Sequence, residues 1–280
     1  DALATLEQIS SLSQSRGREW AWQLLTLLLD RRSDTGVLRR SRWLDQIEST
    51  LVSIISASKH DPCSEFTAQK APGHIPEPSS DSQKIVVDAR PYPPEGRDSL
   101  ALELVSLYRA GWTKFVVVNC RGHRFIGNGF GPGTGHVQID VLGPVGDYLG
   151  SGNDGMTISM HGNAQDQVAQ IHKSGELVVH GDVGQCYGYG SKGGSLFVLG
   201  NAAGRPMINS VGSPKLVING TALDYLAESF MAGDPLEGGG CVVINGMQFD
   251  HRGEMTPLET PYPGGNLFSL ASGGAIYVRD

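Results

Sequence analysis

The sequence predicts an all-β core, a right-handed parallel β-helix solenoid, preceded by a short strand-helix-strand lead-in and an N-terminal helical segment. Three observations carry this expectation. Glycine supplies 38 of 280 residues, about twice its usual share. Five short apolar strands, at 136–141, 156–160, 176–179, 195–198 and 215–218, are each followed one residue later by a glycine: Gly143, Gly162, Gly181, Gly200 and Gly220. Those glycines recur at an interval that stays constant and lengthens only once, by a single position, before Gly220. A fixed period of this size, about 20 residues, marks stacked repeats, each too small to bury its own apolar face.

Residues 1–60 carry helical periodicity. Leu6, Ile9 and Leu12 form one apolar stripe, Trp20, Leu24, Leu27 and Leu28 a second, and Trp43, Ile47, Leu51, Ile54 and Ile55 a third. Breaks fall at Gly17 and Gly36, where glycine suits a helix stop. Residues 61–83 turn to proline and serine and read as a linker. From residue 84 to residue 280 a third region follows. It opens with a strand at 85–88, a helix that Asp98 or Ser99 can cap and Gly111 ends, and a β-branched strand at 115–118.

Within the repeat, small apolar residues recur two positions after each glycine, at Val145, Ala164, Val183, Ala202 and Ala222, which predicts an interior column. Four positions after it stand Asp147, Asp166, Gln185, Gly204 and Asp224. Sharp corners predict a positive φ at the repeated glycines, and parallel crossovers predict right-handed winding. A strand at 241–244 leads to Gly246 after a longer interval, the insertion 234–238 accounting for the extra length.

Composition excludes several classes. A net charge of −7 opposes general polyanion binding, which rests on lysine and arginine. No apolar run approaches the ~18 residues of a membrane span, and residues 1–3 lack a basic-then-apolar signal, so a cytoplasmic protein is expected. The chain starts at Asp1 and stops just after an apolar strand at 275–278, so it reads as a piece of something longer. Cys63, Cys120, Cys186 and Cys241 stand far apart along the chain, which leaves no CxxC pair for zinc or an iron–sulfur cluster.

The candidate chemistry is thin. Asp147 and Asp166 occupy one column and would couple as an acid–base pair at ~5 Å, but capping of backbone N–H groups at their own corners is favoured. His161 and His180 also share a column, completed by Leu142, Leu199, Asn219 and Asn245. That column offers no third ligand for a metal, so a polar ladder is expected. The glycine-rich loop 127–133 lacks the Lys-Ser/Thr and helix of a phosphate loop. Ser99, Ser174 and Ser191 lack a nucleophile elbow, and Tyr148, Tyr187, Tyr189 and Phe197 are too few for a saccharide groove. Catalytic, cofactor-binding and metal residues are all expected to be none.

The runs 161–166, 179–184 and 218–224, with Met231-Ala232-Gly233, resemble the Gly-x-Gly-rich C-terminal domain of the large subunit of glutamate synthase. The repeats are similar, secondarily, to those of the glycine-repeat subunit of formylmethanofuran dehydrogenase. The first resemblance covers roughly residues 84–248 and implies a right-handed β-helix acting as a non-catalytic scaffold in glutamate biosynthesis and ammonia assimilation. Its partners would be the amidotransferase and flavin-binding synthase domains, with FMN and an iron–sulfur cluster on those domains and no cofactor bound by this chain. The second implies a scaffold in a one-carbon transfer complex.

Overall fold

A computed structural model describes residues 2–31, 35, 38–57, 65–250 and 252–280. Cys63, Gly36, His251 and part of the 61–83 segment lie outside them. Three helices come first, α1 (Ala2–Arg16), α2 (Arg18–Asp30) and α3 (Arg40–Ser56). They are followed by strands β1 (Phe66–Ala68) and β2 (Lys84–Asp88), helix α4 (Leu100–Arg109) and strand β3 (Lys114–Val118). The repeat supplies β4 (Gln138–Leu142), β5 (Asp154–His161), β6 (Ser174–Val179), β7 (Ser195–Val198), β8 (Lys215–Ile218) and β9 (Cys241–Ile244). A small antiparallel pair, β10 (Met247–Phe249) and β11 (Met255–Pro257), precedes the last strand, β12 (Ala275–Val278).

Strands β1 to β9 follow one another in sequence order and β12 adds beside β9, giving one 10-stranded parallel sheet. This corrects the expected fold class. The chain is an α/β fold of one parallel sheet with helices, not an all-β solenoid. The repeat period sets the parallel register, since Ile139, Ile158, Leu177, Leu196, Leu216 and Val242 align strand by strand. It is silent about the non-repeating elements, which add strands to the same sheet and helices to its faces. Val145, Ala164, Val183, Ala202 and Ala222 join through parallel bridges, so their column exists as a second line of contact.

Period-two alternation in the strands divides side chains between two faces. Ile85, Phe115, Ile139, Ile158, Leu177, Leu196, Leu216 and Val242 enter the main core, where Leu100, Leu104 and Leu107 of α4 also pack. Val86, Val116, Val118 and Leu142 point the other way and form a second core with Leu25, Ile47, Leu51 and Ile55 of α2 and α3. The expected stripe of α2 is rotated: Ala21, Trp22, Leu25 and Leu29 are buried, whereas Leu27 is exposed. The helix has apolar residues on most of its circumference, so periodicity alone leaves its facing side open.

The stretch expected as a linker contains packed residues. Phe66 is fully buried and β1 pairs with β2, and Trp112 Nε1 donates to the Pro76 carbonyl at 2.6 Å. Strand β1 is too short to show a sequence pattern. Helix α4 begins after Ser99, whose side chain makes no capping hydrogen bond, and it covers a face of the sheet.

The repeated glycines exist for a different reason from the expected one. Gly143 has φ 88°, but Gly162, Gly181, Gly200 and Gly220 do not adopt positive φ. A Cβ on Gly181 would instead run into Asn163 Oδ1, one on Gly200 into Asp182 Oδ1, and one on Gly220 into Asn201 Oδ1. The left-handed positions lie further along each repeat and alternate, at Tyr148/Gly150/Gly152, Gln167/Ala169/Ile171, Cys186/Gly188/Gly190, Arg205/Met207/Asn209 and Tyr225/Ala227/Ser229. There the N–H groups point to the neighbouring repeats by turns, as Ala169 N donates to Leu149 O and Gln167 N to Gln185 O.

Candidate functional site

The polar side chains of the repeat form ladders that bind backbone. Asn163 Oδ1 accepts from Asp182 N at 2.9 Å, Asp182 Oδ1 from Asn201 N at 2.8 Å, and Asn201 Oδ1 from Thr221 N at 3.0 Å. In a parallel row, Asp147 Oδ1 accepts from Asp166 N at 3.1 Å and Asp166 Oδ1 from Gln185 N at 2.8 Å. Each carboxylate therefore caps the next repeat, not its own corner, and Asp147 is further paired with Arg124. Such a bond contributes about 1 kcal/mol net, and leaving the N–H unpaired costs more where it is buried. Asn163→Ala is expected to lower stability by about 1–2 kcal/mol, read as a fall in the urea midpoint with an unchanged slope.

The remaining candidates disperse. Ser99 stands at the start of α4, Ser174 Oγ donates to Asp154, and Ser191 is buried with its Oγ 3.5 Å from the Ala169 carbonyl. Cys120 is buried, burial pushes its thiol pKa well up, and Cys120, Cys186 and Cys241 are all free. Tyr187 is fully buried, so it lines no groove.

One cluster gathers residues that the sequence keeps apart. His161 ends β5 and His180 follows β6, and the register stacks their rings at 5.4 Å and 7°. Asp30, the last residue of α2, inserts its carboxylate against both. Its Oδ1 is 2.8 Å from His161 Nδ1 and its Oδ2 is 3.6 Å from His180 Nε2. Asp140, an outward residue of β4, lies 3.4 Å from His161 Nε2. Trp22 packs against the His161 ring in a T-shaped contact, at 6.0 Å and 88°. Lys84 of β2 binds Glu19 at 2.8 Å and helps hold α2 in place.

The electrostatics follow from this packing. Burial opposes charge on His161, yet hydrogen bonds to Asp140 and Asp30 and their negative charges outweigh it and raise its pKa to about 9. His180 is shifted down, by burial and by the charge on His161, against the pull of Asp30 and Asp140. Glu48 of α3 is raised, chiefly by burial. These groups border a cleft of about 220 Å³ between α3 and the sheet, lined also by Leu44, Pro144 and Asn163. Sequence reasoning misses Asp30 because it lies 131 residues from His161. A carboxylate at a helix C-terminus opposes the helix dipole, and that local conflict is the available signal.

Residues 115–280 match the GXGXG motif family. The chain belongs to that family, the C-terminal domain family of the glutamate synthase large subunit. The likeness to formylmethanofuran dehydrogenase finds no support in this match. No curated protein and no solved structure matches the chain. Among the described residues, no helix is long and apolar enough to cross a membrane.

Proposed function

We propose that this chain is a non-catalytic scaffold domain or subunit of a glutamate synthase-type oxidoreductase, holding its amidotransferase and flavin domains in glutamate biosynthesis. The observation that carries the reading is the family match over more than half of the chain. The ladder geometry supports it, because Asp147, Asp166, Asn163 and Asp182 are all engaged in pairing one repeat with the next. The end of the sheet supplies a contact surface. There β12 pairs with β9 and is the outermost strand, with Tyr277 and Val278 exposed on it and Leu270 81% exposed nearby. An outermost parallel strand carries a row of main-chain groups able to pair with another chain.

Native purification of the untagged protein tests the reading. Flavin and iron–sulfur subunits are expected to co-elute in equimolar amounts, and hydrogen exchange at 275–278 is expected to slow in that assembly relative to the isolated chain. Elution as a free chain, or with a molybdopterin subunit instead, overturns it.

A further inference from the structure

We propose that Asp30, His161 and His180 form a binding site for a divalent transition ion of the zinc type, clamping the end of α2 to the sheet. This goes beyond the scaffold reading and departs from the expectation of a metal-free chain, because α2 supplies the third ligand that the histidine column lacks.

The donor geometry is the first argument. One ligand atom from each residue lies within 4.8 Å of the others. Zinc bound at ~2.0–2.2 Å in a tetrahedral site separates its ligands by roughly 3.4 Å. The Asp30 carboxylate lies between the two rings at close to that spacing, its Oδ1 2.8 Å from His161 Nδ1 and its Oδ2 3.6 Å from His180 Nε2. The two rings stack at 7°, so the His180 ring turns about its side-chain bonds to bring both in-plane lone pairs onto the ion. Each ligand sits on a regular element or directly after one: the end of α2, the end of β5 and the residue following β6.

The surroundings are the second argument. His161 presents Nδ1 to the site while Nε2 faces Asp140 at 3.4 Å, which is the carboxylate–histidine–metal relay that orients a ligating imidazole and raises its basicity. Trp22 packs against the same ring in a T-shaped contact. His161 and His180 also line the cleft that Asn163 and Glu48 border, which leaves room for water or a small anion as the fourth ligand. Two imidazoles and one carboxylate suit zinc, cobalt or nickel once the ion displaces to solvent the proton that His161 Nδ1 shares with Asp30. Calcium and magnesium prefer oxygen sets, and copper(I) prefers thiolates and thioethers.

The test uses the full chain after treatment with a chelator, titrated with zinc and with cobalt(II). One equivalent should bind, cobalt should give the visible absorption of a four-coordinate site, and zinc should raise the melting temperature. Asp140→Asn is expected to weaken binding by about 10–100-fold. Asp30→Asn and His180→Ala should weaken it by at least as much, with the metal-free circular dichroism spectrum unchanged. Imidazole NMR signals of the wild-type protein provide a reading that depends on no variant, since those of His161 and His180 should shift on zinc addition while that of His172 should not. Failure to bind one equivalent, unchanged affinity in the folded His180→Ala protein, or zinc-induced shifts confined to other histidines each overturns the proposal.

Discussion

Gly181→Ala is expected to destabilise the protein by about 3 kcal/mol or more, the upper end of overpacking plus a lost hydrogen bond. The added methyl would run into Asn163 Oδ1 and lie 2.5 Å from the Gly162 carbonyl oxygen and 2.6 Å from its carbon. Asn163 could swing away, but only by releasing Asp182 N. The Gly162 backbone cannot, because the parallel strands β5 and β6 hold the two repeats together. Gly152→Ala provides the comparison. It has φ 73° with nothing within 4 Å of the added carbon, so it carries only left-handed backbone strain, about 1–2 kcal/mol. Urea unfolding of the two variants separates steric contact from conformational strain. Equal losses would show that close approach between repeats is not why Gly181 is there.

Acid is expected to weaken the fold through His172. This ring is fully buried, its Nε2 donates to the Gly175 carbonyl at 3.3 Å, and its Nδ1 has no hydrogen-bond partner. Burial lowers its pKa to about 4, against the smaller upward pull of the Gly175 hydrogen bond and Asp154. The folded state thus binds this proton less tightly than the unfolded chain, whose histidine titrates near ~6.5. The contribution of His172 is full above pH ~6.5, falls as pH drops, and is gone below about 4, a change of about 3 kcal/mol at ~1.4 kcal/mol per pH unit. His172→Gln keeps a side-chain N–H donor and cannot titrate. The difference in unfolding free energy between wild type and His172→Gln should slope with pH between about 4 and 6.5 and be flat above. A flat difference throughout would mean that the ring accepts its proton without leaving its place.

Local pattern is enough for much of this molecule. The repeat strands, their parallel order and the Val145-to-Ala222 column are legible because strand length and a fixed period determine which residues can pair, whatever lies elsewhere. The three N-terminal helices are legible for the same reason, their apolar residues recurring with helical spacing. Only the tertiary structure decided the fold class, since β1, β2 and β3 join the same sheet and α2 and α3 cover one face of it through Val86, Val116 and Val118. It also decided why the glycines recur. A side-chain oxygen of the preceding repeat occupies the place of each missing Cβ at Gly181, Gly200 and Gly220, a contact made across a whole repeat of chain. Asp30 beside His161 and His180 is the same kind of fact at longer range. Periodicity reports the surroundings a residue shares with its repeats, and it carries nothing about a neighbour delivered by a helix that does not repeat.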